Sequence, residues 1–524
     1  MLTIKKINSQ KYHISPEHGL RDECLKKLVW KHAKHQAGYL FTQAYQNGTW
    51  NGKIQVYKPT AIRAGYLRET LDYLDANNVE WKWANEKNVS PKTEYTYEEF
   101  HKFCLTFIKA IKPSFAKKHD IDLEVRDYQI DAAWKFLDQR IGIALHATSA
   151  GKSLTIAFIL GFLFYKNAIQ KAVILVPLQS LVTQFYGDLI DFGFKDDFVG
   201  KLYSSKKQTN RPITVAMHNS THNILGTLNE EEFFDNIDLV ICDEVHRASS
   251  KTVIESVLRF HNAKYFFGCT GTLPEDELDK EIVYSLFGNV IDKRNLKELK
   301  EEYNAVSNVK VGILNFSYGM KGLLSRTKSH ESSMDWREEV QFLQNDFDFR
   351  NPYIIKTLVN NFDRGNNIIA LVKNIEYGVQ MYHRIQESII HKDRKNVYWV
   401  DGTMKLSDRD DIMNKCRKSK TPYIIVTNFQ IFSTGVNIRN INCVAMIDSG
   451  KSKITVAQTI GRGVRKFKSK TDVLILDCGC DLKYGSRHMR KRKKLYQDEG
   501  FEVFEKNIYR DKDIELAQNI KKLR

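Results

Sequence analysis

The chain has 524 residues, 42% hydrophobic and 11% aromatic, enough for three or four globular domains with real cores. Lys and Arg number 80 against 63 Asp and Glu, and the formal charge of +17 favours a polyanionic partner: nucleic acid most simply, an anionic membrane surface otherwise. The eight cysteines include no Cys-x-x-Cys pair, which disfavours a zinc site and suits reduced thiols in a cytoplasmic compartment. The start "MLTIKKINSQKYHI" lacks a signal-peptide apolar stretch, and "LTIAFILGFLFY" is too short to span a bilayer, so no membrane association is expected.

Residues 1–90 read as a small α+β accessory module. "TWNGKIQVYKP" places Asn-Gly between alternating residues and predicts a hairpin. "RAGYLRETLDYLDANN" predicts an amphipathic helix with Tyr66, Leu67, Leu71, Leu74 and Ala76 near one face. Trp50 and Lys53 beside the predicted turn suit a ring stacked on a base and an amine against a phosphate. Trp50 equally suits the module's own core. Residues 91–120 read as a helical connector ending in a basic stretch.

Over 121–304 the strands "IGIAL", "AVILVP", "ITVAM", "IDLVICDE" and "KYFFGCTGT" alternate with helical segments, the signature of a parallel α/β sheet covered on both faces. Upstream, "VRDYQIDAAWKF" offers Gln129 for an adenine edge, with Tyr128 packing near the base. "HATSAGKS" follows the first strand. Thr148, Ser149, Ala150 and Gly151 make a tight turn, Lys152 reaches outer phosphates, and the Ser153 hydroxyl suits Mg²⁺. The usual spacing puts glycine where His146 stands, and on its own the tripeptide also fits an ordinary helix cap.

"LVICDEVHRASS" supplies what a nucleotide site further needs: Asp243 to hold Mg²⁺ and Glu244 to orient the attacking water. His246 is placed to couple these acids to the downstream "TGT", or is simply satisfied in its loop.

The pattern restarts over 305–485 with "NNIIALV", "VYWVDG", "PYIIVTN", "CVAMIDS" and "DVLILD". In "QTIGRGVRK", Arg462 and Arg465 share a helix face and suit arginine fingers, and the neighbouring glycines argue against a plain solvated basic helix. Residues 486–524 read as a basic tail.

The phosphate loop, "DEVH", "TGT", "FSTGVNI" and "QTIGRGVRK" stand in family order, and from about Glu124 to Asp481 the chain resembles superfamily-two helicases and translocases of the DExH-box group. "TSAGKS", "FSTGVNIRN", "SGKSKITVAQTIGRGVRK" and the N-terminal "YQNGTWNGKIQVYKP" resemble the phage UvsW-type recombination helicases, which also depart from the loop's first glycine.

The resemblance implies two tandem RecA-like lobes behind the α+β module, with ATP and Mg²⁺ between them. It implies a helicase that remodels branched DNA in recombination, repair or replication, working in the host-cell cytoplasm if phage-encoded. Nucleic acid would be held through phosphates and largely without regard to sequence, with Thr183, Gln184, Thr427, Ser433 and Thr434 as contact candidates. An RNA helicase, a restriction-system motor and a non-catalytic nucleic-acid scaffold are the competing readings. The intact Lys152, Asp243, Glu244, Arg462 and Arg465 speak against the scaffold.

Overall fold

A computed structural model describes residues 1–15, 19–85, 93–119, 123–147, 149–303, 307–318, 335–429, 431–432, 438, 440–448, 450, 456 and 472–510. It divides into two compact bodies, one running to Arg294 apart from Ala147–Ala150, the other from Asn295 onward.

The first body begins with the α+β module. Strands β1 (Leu2–Asn8) and β2 (Lys11–Ser15) alternate, sending Leu2, Ile4, Tyr12 and Ile14 into a core and their neighbours outward. β3 (Ala33–His35) and β4 (Lys53–Gln55) form a separate antiparallel ribbon. β5 (Ile62–Arg63), β2, β1 and β6 (Trp81–Trp83) form the module's sheet in that order. The predicted amphipathic helix is present over Leu67–Ala76, with Thr70 and Leu74 buried. The expected Asn-Gly hairpin is not: Asn51-Gly52 leads into β4, whose partner β3 lies on the far side of residues 36–52. Asn-Gly favours a tight turn, but the strand pairing is set by the longer segment's own packing.

The module is fastened to the lobe behind it. His32 Nδ1 lies 2.7 Å from Glu281, and the Tyr66 hydroxyl donates to the same carboxylate at 2.8 Å. Arg63 donates to Ser285 at 2.7 Å. Gly65 brings its backbone against the Tyr284 carbonyl so closely that a Cβ there would collide with it. Leu278 belongs to the module's core cluster.

The expected connector is also more than that. Helix Tyr97–His119 buries Phe100, Cys104, Ile108 and Ile111 in the first lobe's core, with Phe100 edge-on to Phe162 at 5.0 Å. Its repeating apolar positions at 100, 104, 108 and 111 are the face that reading as a linker overlooked.

The first lobe contains β7 (Ile141–His146), β8 (Ala172–Val176), β9 (Val199–Tyr203), β10 (Lys206–Lys207), β11 (Ile213–Met217), β12 (Leu239–Asp243), β13 (Tyr265–Thr270) and β14 (Val290–Arg294). Among the described residues they lie in the order β10-β9-β11-β8-β12-β13-β7-β14, parallel except for β10. β8 and β12 are buried at every position, as strands covered on both faces must be.

The second body's sheet is β17-β18-β16-β19-β20-β15-β21, parallel at every described pair. Its strands are β15 (Asn308–Ser317), β16 (Ile368–Val372), β17 (Val397–Val400), β18 (Ile424–Asn428), β19 (Cys443–Met446), β20 (Asp472–Cys480) and β21 (Glu502–Tyr509).

Of the residues read as a basic tail, 486–510 are instead part of this lobe, and 511–524 lie outside the described residues. Helix Lys483–Asp498 plants Arg492 on Asp477 through two bonds of 2.8 and 3.0 Å, and β21 pairs with β15 from Lys310 to Ser317. The run of charge hid the four buried positions His488, Met489, Arg492 and Tyr496. No described helix is long and apolar enough to cross a membrane.

Candidate active site

In the first lobe's sheet, β12, β13 and β7 are successive neighbours, so their carboxyl ends bring three loops to one edge. Ligands of open parallel sheets sit at that edge. Each loop carries one of the sequence motifs.

After β7, Gly151 adopts a left-handed conformation, φ 81°, and caps the buried helix Lys152–Tyr165. The helix start gathers free N–H groups and the positive end of the helix dipole, the arrangement that favours phosphate. Lys152 Nζ donates to the His146 carbonyl at 3.2 Å, which parks the ammonium over the strand end. The Gln129 Oε1 accepts from the Arg126 N–H at 3.0 Å and its amide donates to the Gly151 carbonyl at 3.4 Å, linking helix Asp127–Gln139 to the loop. Tyr128 is fully buried, edge-on to His146 at 5.9 Å.

His146, standing where the usual loop has glycine, is itself buried, and its Nε2 lies 2.7 Å from Asp292 on β14. Burial lowers the His146 pKa, against the pull of Asp292. For Asp292, burial acts against ionisation, but hydrogen bonds from His146 and Lys135 outweigh it and hold the carboxyl below its ordinary range. The pair fixes the strand end whose carbonyl receives Lys152.

After β12, Asp243 is buried. Burial pushes its carboxyl up to about 6, repulsion from Glu244 adds to that, and the Lys152 charge opposes both. The Cys269 thiol donates to Asp243 Oδ1 at 3.3 Å. Glu244 has φ 52° and ψ 48°, a left-handed conformation that is uncommon for a residue with a side chain and is found at functional turns. Its carboxylate lies 3.5 Å from the Thr270 hydroxyl and 3.3 Å from His246 Nδ1.

The Thr270 hydroxyl has one proton, and its shortest acceptor is the Thr272 carbonyl at 2.8 Å. The 2.9 Å contact between His246 Nδ1 and Thr270 Oγ1 is therefore donated by the imidazole. "DEVH" and "TGT" are one hydrogen-bonded unit.

Of the sequence-predicted residues, the lobe thus brings together Gln129, Tyr128, Gly151, Lys152, Asp243 and Glu244, with Ser153 in the first turn of the same helix as Lys152. Ser149 also has a positive φ, 77°. Thr148, Ser433, Thr434, Arg462 and Arg465 lie outside the described residues. Thr183 is exposed on helix Gln179–Asp191 and Gln184 half-buried on it. Thr427 is fully buried near the end of β18, so its side chain is not presented to a ligand as expected; the strand is covered on both faces there. Trp50 is half-buried, its N–H donated to the Lys53 carbonyl at 3.0 Å, while the Lys53 side chain is exposed. Asp292 and Cys269 were missed, because a lone acid on a short edge strand and a lone apolar-strand thiol carry no local signal.

Comparison with known families decides what the two sheets are. Residues 122–275 match the family "Type III restriction enzyme, res subunit" and residues 351–467 match "Helicase conserved C-terminal domain". The chain is a superfamily-two helicase. Among its relatives, the ATP-dependent DNA helicase uvsW of enterobacteria phage T4 is 24% identical over 84% of each chain. The DNA 3'-5' translocase XPB2 of Sulfurisphaera tokodaii is 23% identical over 78% of this chain and 95% of the relative. A fragment of a putative HsdR subunit of a type I restriction enzyme from Vibrio vulnificus YJ016 has a similar fold, with TM-score 0.55 and 20% identity over 79% of this chain and 74% of that one. As a member of the family the chain is an enzyme that uses a nucleotide and acts on nucleic acid.

Proposed function

We propose that the chain is an ATP-dependent DNA helicase or translocase that remodels branched DNA in recombination, repair or replication. The observation that carries the hydrolytic half is the single hydrogen-bonded unit of Glu244, His246 and Thr270 beside Lys152 and Asp243. Lys152 and the start of its helix bind the outer phosphates. Glu244 takes the proton of the attacking water as its oxygen bonds to the γ-phosphorus and the bond to the ADP oxygen breaks.

Asp243 and Ser153 suit Mg²⁺. Both offer hard oxygens, Asp243 is a buried acid short of compensating charge, and no described trio of His, Cys, Asp or Glu forms a closed metal cage. When bound, the ion would neutralise charge between the terminal phosphates. Ser153 stands beside Lys152 in the helix's first turn, and Thr155, the next hydroxyl along, is buried. Arg462 and Arg465 act as the fingers that stabilise the transferring phosphoryl group. Thr183, Gln184 and Lys53 contact phosphates, consistent with the exposure of Thr183 and Lys53 and with the net charge of +17. Work in a cytoplasm, the host's if the gene is a phage's, accords with eight free cysteines, seven of them buried.

The test is ATP hydrolysis and strand separation measured side by side with single-stranded, duplex and branched DNA and with RNA. Branched DNA should stimulate most. Stimulation by RNA alone would sink the DNA reading.

A further inference from the structure

Residues 36–52, between β3 and β4, contain no charged side chain in a chain that is 27% charged. They sit inside a stretch, 24–68, that has eight Lys and Arg and no Asp or Glu. Lys31 and Lys34 are engaged by Glu69 and Glu281. Lys26, Lys27, Lys53 and Lys58 are exposed.

The segment is held by its own contacts. Tyr39 stacks on His35 at 4.2 Å and meets Tyr45 edge-on at 4.8 Å. Thr42 caps the short helix Gln43–Gln46, the Gln46 amide donates to the Leu40 carbonyl at 3.3 Å, and the Trp50 N–H donates to Lys53. With those rings engaged, two adjacent apolar side chains face solvent: Leu40, 52% exposed, and Phe41, 85% exposed. A single exposed apolar residue needs no explanation. An adjacent pair on a braced, uncharged tip within an acid-free basic stretch is different.

We infer that Leu40 and Phe41 form a stacking wedge whose ligand is the exposed base pair at a DNA branch point, with the exposed lysines of the stretch holding the flanking phosphates. The inference rests on the DNA-remodelling reading above and shifts the aromatic role within it from Trp50 to Phe41. Every base offers a π-face, so the ring grips without reading sequence. Apolar side chains inserted at a base step unstack it, which would turn translocation into strand separation. Two side chains are far too little for a stable protein interface, which takes roughly 800 Å² per partner. A second copy of the chain would also set one acid-free basic stretch against another.

The experiment uses the full chain and a three-way DNA junction with 2-aminopurine at the branch point. It compares the wild type, Phe41→Ala, Leu40→Ala with Phe41→Ala, and Phe41→Trp. Because Phe41 is so exposed, these changes leave the fold intact. On binding, the wild type should change the 2-aminopurine emission. Phe41→Ala should lose that change, bind the junction on the order of tenfold more weakly, and unwind it correspondingly less. Its hydrolysis stimulated by single-stranded DNA should stay within about twofold of wild type. Phe41→Trp should restore unwinding, with its own emission quenched by the junction. Wild-type unwinding and an unchanged 2-aminopurine signal in Phe41→Ala would overturn the wedge. So would a change in sedimentation showing the tip to be a self-association surface. A wild type whose hydrolysis no DNA stimulates would instead refute the DNA reading itself, since that measurement does not depend on the tip.

Discussion

Glu244 illustrates how a single backbone choice serves chemistry. Its left-handed conformation costs about 1–3 kcal/mol in local strain and is held by the buried strand before it and the 3₁₀ turn Val245–Arg247 after it. The result is a carboxylate turned toward Thr270 and His246. Glu244→Gln should therefore bind ATP normally and hydrolyse it ~10²-fold or more slowly, since an amide cannot take the water's proton. Near-normal turnover in a steady-state assay would exclude Glu244 as the base. Lys152→Ala should abolish hydrolysis by removing the charge that meets the outer phosphates. Arg462→Ala and Arg465→Ala should each lower turnover by ~10³-fold while nucleotide binding, followed by a fluorescent analogue, persists. These residues were legible in the sequence because phosphate chemistry restricts both their type and their spacing. Asp292 was not, because its partner His146 is 146 positions away and the two meet only once β14 has paired with β7.

At the scale of elements, the anchor between helix Leu20–Lys31 with its following His32 and helix Glu277–Phe287 has a pH signature. Burial works against the charged forms of His32 and Glu69, but the His32 contacts with Glu281 and Glu69 prevail. They raise the His32 pKa above 6.5, and His32 with Lys31 lowers the Glu69 carboxyl from 4.5 to about 2. The His32 contribution is complete below pH 6.5 and fades as pH rises through its folded value. The Glu69 contribution is complete above pH 4.5 and fades toward pH 2. The anchor should be tightest between about 4.5 and 6.5. Hydrogen exchange of these two helices, followed from pH 5 to 9, should show protection falling on the alkaline side. His32→Phe should remove that slope, and an unchanged slope would assign the titration elsewhere.

Local pattern predicted the central strands of both lobes, which are short continuous apolar runs. It missed β9, β14, β10, β15 and β21. The first two are short and partly exposed, and the charged run 483–494 concealed the approach to β21.

For the molecule as a whole, the sequence invites a cut after about Asp120, since all motor motifs follow it. The structure argues against that cut. It would strip Phe100, Cys104, Ile108 and Ile111 from the first lobe's core and leave Glu281 without His32 and Tyr66. Fully buried side chains of that size contribute about 1.5–3 kcal/mol each, against 5–15 for a typical domain. A chain beginning after 120 should be insoluble or show a broad, early melt by circular dichroism. A sharp wild-type transition would show the lobe to be self-sufficient. Intact protein should bind DNA with affinity falling steeply as salt rises, because phosphate neutralisation displaces counterions. A flat salt profile would contradict the phosphate-dominated binding proposed for a net charge of +17.

The neighbours of β15 also set a timetable. Asn308 pairs with Asp472 on one side and Lys310 with Glu502 on the other, so this strand has no sheet partner until more than 160 further residues have been made. At roughly 5–20 residues per second, translation leaves its apolar side chains waiting on the order of ten to thirty seconds. During that interval the nascent chain offers two bare edges for pairing with the wrong strand. Yield from cells should therefore depend on growth temperature and on chaperones that shield emerging strands, even though the finished lobe buries Val309, Val311 and Ile313 almost completely.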